Sequence, residues 1–167
     1  MKKLFLLSIL LSIVCTTHAQ TKYTVPALTM EQKLNTARQI KNNYILSCIN
    51  AAKSSGMTVE EFGTKCGDAF IPAWDEDTGF EQIVNFSLYY WTGLADDVQI
   101  IEQSNNKVVL IVPHFDPRLE EQGVLFGVSL EEFITYLNAT NKRVCNHFDV
   151  SSDMIWGEEG LKIVYTQ

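Results

Sequence analysis

Between Met30 and Ala52 the apolar positions Met30, Leu34, Ala37, Ile40, Tyr44, Cys48 and Ala52 recur every three or four residues, with Lys33, Arg38 and Lys41 mostly to the side. That is the period of an amphipathic helix, and Ser54-Ser55-Gly56 stops it. Thr58-Val59-Glu60-Glu61 follows as a capping box: the Thr58 hydroxyl accepts from the Glu61 N–H, and the Glu61 carboxylate accepts from the Thr58 N–H. Met57 and Phe62 flank it as a hydrophobic staple. Ser129-Leu130-Glu131-Glu132 repeats the device, with Val128 and Phe133 as the staple. The helix from Val59 ends near Pro72 or Trp74, because Pro72 has no N–H to donate. Asp75-Glu76-Asp77 suits the start of a third helix, running from Thr78 to about Leu94. Its apolar residues, from Phe80 and Ile83 to Tyr90 and Trp91, cover most of the circumference, which predicts a central, nearly buried helix.

From Asp97 the period changes. Val98 to Gln103, a turn at Ser104-Asn105-Asn106, and Lys107 to Val112 read as a β-hairpin, with the asparagines able to supply positive φ. Residues 113–127 read as a polar connection. Ser129 to His147 is a further helix, which Asn141 is placed to interrupt. Met154 to Trp156, Gly157 to Gly160 and Leu161 to Tyr165 make a second hairpin. The order ααα-ββ-α-ββ predicts an α+β fold, an antiparallel sheet of two β-hairpins packed against about four helices. No linker separates domains, so residues 20–167 are expected to form one.

The start of the chain carries an address. Lys2 and Lys3 form a basic head, Leu4 to Cys15 is apolar apart from two serines, and Thr16-Thr17-His18-Ala19 is small and polar. This layout predicts a signal peptide over residues 1–19, cut before Gln20, and a periplasmic or secreted product. The apolar run is shorter than the ~20 residues a spanning helix needs, so no membrane insertion is expected after cleavage. Residues 1–19 hold two of the thirteen basic residues and none of the twenty acids, so the remaining 148 carry eleven against twenty, a formal −9. That charge argues against nucleic acid and against anionic membrane surfaces as partners. Cys48, Cys66 and Cys145 remain. The first two fall about one turn (~5.4 Å) out of register on adjacent helices, so free thiols are expected.

Candidate chemistry is sparse. The only compact Cys/His pair, Cys145-Asn146-His147, matches no zinc-ligand spacing, and neither a metal nor a cofactor is expected. Cys145 could act as a nucleophile if a histidine activated it. Residues two apart on a helix point about 200° away from each other, however, and a small buried cysteine fits the position equally. Gly-x-Ser-x-Gly, Gly-x-Gly-x-x-Gly and P-loop motifs are all missing. The loop His114-Phe115-Asp116-Pro117-Arg118-Leu119-Glu120-Glu121 is the richest polar segment. His114 and Asp116 could form an acid–base pair and Arg118 could clamp a carboxylate, or the loop could be a solvated connection with local ion pairs. Phe86, Tyr89, Tyr90 and Trp91, with Trp74 and Trp156, could line an apolar pocket or simply fill the core.

The stretches Val112-Pro113-His114-Phe115 and Gly157-Glu158-Glu159-Gly160 frame a further resemblance. The last 60 residues resemble the small α+β domain of the L-2-amino-thiazoline-4-carboxylic acid hydrolase and 4-vinyl reductase group, with its strand, Cys-Pro-His-like loop, acidic helix and terminal hairpin with a Gly-acid-acid turn. Val112 stands where that group's loop cysteine would lie, so the resemblance implies a ligand-binding scaffold without the thiol chemistry. The expectation is an exported, non-enzymatic domain that binds a small molecule or an envelope protein, with His114, Asp116, Arg118, Tyr90 and Trp91 as ligand-binding candidates. The alternatives are a hydrolase using Cys145, His114 or Asp116, and a structural subunit. The oligomeric state is not written in the sequence.

Overall fold

The computed structural model describes residues 26–95 and 97–167. The expected signal peptide and its cleavage point lie outside the described residues. Contacts divide the chain into two units, Met1–Met30 and Glu31–Gln167.

Among the described residues the element order is α1 (Met30–Ser54), α2 (Val59–Phe70), a 3-10 turn (Ile71–Ala73), α3 (Phe80–Leu94), β1 (Gln99–Ser104), β2 (Lys107–Val112), α4 (Pro117–Gln122), β3 (Val124–Leu125), β4 (Val128–Ser129), α5 (Leu130–His147), β5 (Ser151–Gly157) and β6 (Gly160–Thr166). The four long strands form one antiparallel sheet in the order β1-β2-β6-β5, and β3 pairs with β4 in a small second sheet. The fold is α+β, built on two hairpins. The second hairpin joins the first through β2 and β6, with α5 in the crossover between them.

Register turns the inward face of the sheet into three rows. Val108 pairs with Tyr165 and Tyr165 with Ser152; Leu110 pairs with Ile163 and Ile163 with Met154; Val112 pairs with Leu161 and Leu161 with Trp156. All nine are buried except the half-buried Trp156. Alternation along each strand puts these side chains on one face, where they meet Leu46 and Ile49 of α1, Trp91 and Leu94 of α3, and Phe133 and Leu137 of α5. Both capping boxes form: Thr58 with Glu61 opens α2, and Ser129 with Glu132 opens α5. α2 crosses α5 at two glycines. A Cβ on Gly63 would lie 2.7 Å from the Tyr136 carbonyl oxygen, and one on Gly67 would lie 2.6 Å from Arg143 Cβ.

Five expectations change. The buried face of α1 is Asn42, Leu46, Ile49 and Ala52, whereas Leu34, Ile40, Tyr44 and Cys48 are exposed. Apolar residues occur on both sides of this helix, and packing rather than period selects the inner one. α3 is not nearly buried, since Phe86 and Tyr89 are 52 % and 83 % exposed; only its sheet-facing side is covered. Asn105 and Asn106 lie outside the positive-φ region, and the register of the hairpin shifts between Ile100 and Glu102. α5 runs unbroken through Asn141. Residues 113–127 are not a plain connection, because they hold α4 and a tight turn in which Phe126 (φ 51°) and Gly127 (φ 74°) join β3 to β4.

Candidate functional site

The loop that follows β2 is bonded to itself and to α1. Asp116 is buried and caps α4: its Oδ1 accepts from the Leu119 N–H at 3.2 Å, while its Oδ2 accepts from Asn42 Nδ2 at 3.0 Å and from Arg118 at 3.3 Å. Arg118 also donates to Asn43 Oδ1 at 3.0 Å. Of the two readings of this loop, the His114–Asp116 pair does not form and local ion pairs do. His114 is exposed and meets Glu120 at 2.8 Å, and the other Glu120 oxygen accepts from the Phe115 N–H at 3.1 Å. Asp116 therefore has a buried capping role, and Arg118 has partners on both sides. These groups hold α4 onto α1 and line a cavity of about 240 Å³ with Asn35 and Gln39.

Cys145 also stands apart from any base. Its side chain is buried against the sheet, and burial pushes the thiol up to about 11, against a weaker lowering by the Ser152 hydroxyl. His147 packs edge-on against Phe148 at 4.8 Å. Burial of this kind disfavours the thiolate, which is the form of a cysteine that attacks. Cys48 and Cys66 are free. Among the described residues no group of three His, Cys, Asp or Glu could hold a metal ion, and no helix is long and apolar enough to cross a membrane.

The larger feature is a cavity of about 470 Å³ between the helices and the sheet. From α3 come Ile83, Phe86, Ser87, Tyr90 and Trp91; from α5 come Tyr136, Leu137, Thr140, Asn141, Val144 and Cys145. Met154 of β5 lies on the sheet side, Lys41 and Ile45 of α1 close one flank, and Phe70, Ala73 and Trp74 close the other. The stretch Ile83–Trp91 corresponds to roughly 12 Å of helix at ~1.5 Å per residue. Phe70 and Phe86 are half-exposed and Trp74 packs edge-on against Phe86 at 4.6 Å, giving the cavity an aromatic rim. Tyr90 and Trp91 from the sequence-derived set line this cavity; His114, Asp116 and Arg118 line the smaller one. Tyr89 is exposed, and Trp156 packs on Phe115 at 5.7 Å.

A short polar chain crosses the apolar wall. The hydroxyls of Ser87 and Tyr165 are hydrogen-bonded, and the Tyr165 hydroxyl donates to Asn141 Oδ1 at 3.4 Å. With the Tyr165 proton directed at Asn141, Ser87 is the donor to Tyr165. Burial pushes both Tyr165 and Tyr90 up, the latter to about 12, so both phenols stay protonated. The chain ends at Asn141 Nδ2, which is shielded from solvent and has no partner. An unpaired buried donor costs about 1–3 kcal/mol. Lys41, the one charged residue lining the cavity among the described residues, donates to the Gly93 carbonyl at 3.0 Å and lies 5.8 Å above the Tyr90 ring. Burial, followed by the neighbouring Arg38, holds its ammonium below the ordinary lysine value.

Comparison with protein-family models, with curated proteins and with solved structures finds no match. The site therefore rests on its geometry. Sequence reasoning passed over Asn42 and Glu120, although Asp116-Pro117 before Gly123 is a legible helix start and stop. It also passed over Lys41, Ser87, Asn141 and Tyr165, which lie on four different elements and share no spacing that would link them.

Proposed function

We propose that this chain is an exported domain that binds an apolar small molecule reversibly in the cavity bounded by α3, α5 and β5. The observation that carries the reading is the cavity itself. At about 470 Å³ it falls within the ~300–1,000 Å³ range of small-molecule sites. Its wall is aromatic and aliphatic, and its polar groups are few. Binding is favoured over turnover because Cys145 in the wall is a buried, protonated thiol, and His114 lines the smaller cavity instead.

The test is titration with a neutral apolar fluorophore, N-phenylnaphthylamine, followed by its emission. The wild type is expected to bind saturably at one site. Ala73→Trp narrows the exposed rim and Val144→Phe fills the interior, and both are expected to lower the affinity at least tenfold. Absence of saturable binding, or binding undiminished in both variants, would overturn the proposal.

A further inference from the structure

We propose that the molecule held in this cavity is a carboxylate with a hydrocarbon tail, of the fatty-acid class, whose head pairs with the Lys41 ammonium and accepts from the Tyr90 hydroxyl; this rests on the binding reading above. Both side chains line the cavity, and the ammonium stands 5.8 Å above the Tyr90 ring. Lys41 is half-buried, and no carboxylate pairs with it among the described residues. An ammonium carries three N–H groups; one goes to the Gly93 carbonyl at 3.0 Å, which leaves donors for a ligand. The Tyr90 hydroxyl makes no hydrogen bond among the described residues, yet it is not sealed from solvent. Burial keeps that phenol protonated, so toward an anion it is a donor.

Other polar groups of the wall are engaged or shielded. The Ser87 hydroxyl is bonded to Tyr165, the Thr140 hydroxyl bonds to the carbonyls of Gly63 and Tyr136 at 3.0 and 2.9 Å, and Asn141 Nδ2 is closed off. The Tyr136 hydroxyl has the Cys66 thiol beside it. Charge then selects the class of head group. A neutral ligand would cover the ammonium and remove its water without replacing it, and buried charge is unfavourable unless it is paired and hydrogen-bonded. A carboxylate supplies the missing counter-charge. It also has a preferred direction, because the exposed acids Asp75, Glu76 and Asp77 follow Trp74 on the flank opposite Lys41. The head is steered to the α1 end, and the tail lies among Ile83, Leu137 and Val144 toward the aromatic rim.

A nine-carbon series tests this: nonanoate, methyl octanoate and nonane, each displacing N-phenylnaphthylamine at neutral pH. The wild type is expected to prefer nonanoate to the ester. The ratio of nonanoate to ester affinity should fall roughly tenfold in Lys41→Met and roughly threefold in Tyr90→Phe, with nonane binding retained as evidence of an intact cavity. Lys41→Gln, which keeps a donor for Gly93, provides the same comparison should the methionine disturb folding. Lys33→Met, at an exposed position of the same helix, should leave the ratio unchanged, which separates pairing at Lys41 from the general field of α1. Wild-type preference for the ester would overturn the inference and leave the cavity reading standing. So would an unchanged ratio in a Lys41 or Tyr90 variant that still binds nonane, or an equal fall in Lys33→Met. Failure of all three probes to bind the wild type would sink the binding reading as well.

Discussion

Asp116→Ala separates an architectural role for the His114 loop from a chemical one. The substitution removes the acceptor for the Leu119 N–H, and losing an N-cap costs about 1 kcal/mol. It also strips Asn42 Nδ2 of its 3.0 Å partner, leaving only the Phe115 carbonyl at 3.5 Å. A buried amide left in that state costs about 1–3 kcal/mol more. The Arg118 contact adds little, because that guanidinium is one-third exposed and keeps Asn43. The expected loss is about 2–4 kcal/mol, read from urea unfolding at pH 7 by tryptophan fluorescence with an unchanged slope. Asp116→Asn keeps the capping oxygen but replaces the acceptor for Asn42 by an amide donor, so it should restore only the share of the cap, about 1 kcal/mol. His114→Ala should lie within about 0.5 kcal/mol of wild type, since its side chain is 71 % exposed and its pair with Glu120 is at the surface. An Asp116→Ala loss under about 1 kcal/mol, or a His114→Ala loss matching it, would refute the reasoning.

Gly63→Ala should destabilise by about 1–3 kcal/mol, because its Cβ would meet the Tyr136 carbonyl on a backbone that cannot swing aside; thermal unfolding checks it, and Gly56→Ala is no substitute control because of its positive φ. The hydrogen bond from Lys53 holds the Glu132 carboxyl below its usual range. Its contribution is therefore present above the ordinary carboxylate value and lost as pH falls through the lowered one, so the stability advantage of wild type over Glu132→Gln should shrink steadily on acidification in urea titrations. Native-state alkylation at pH 8 followed by peptide mass mapping should label exposed Cys48 readily and leave Cys145 untouched until the protein is unfolded; early labelling of Cys145 would contradict the burial described.

The fold was largely legible because its signals are local. Two capping boxes, Pro72 and the alternation of the last strand each act within a few residues, and each element they mark is present. The inner side of α1 was not legible. Leu46 and Ile49 are fully buried while Ile40 and Tyr44 are not, and the inner side is the one that packs on core residues far along the chain, such as Trp91, Leu110 and Ile163. The site was the least legible part. Ser87, Asn141 and Tyr165 meet only because β6 lies beside β2 and α5 crosses over them, and no spacing along the chain encodes that meeting.

The three rows across the sheet also govern how this sequence can drift. Leu110, Ile163 and Met154 share one slab of space although they are far apart in the chain, and an interior packed to crystal-like density passes a change of volume to its neighbours. A methylene gained at Leu110 is accommodated most readily by one lost at Ile163 or Met154, while the rows above and below keep their own totals. Substitutions accumulating over descent should therefore be correlated across strands, three positions at a time, and nearly independent between successive inward residues of a single strand.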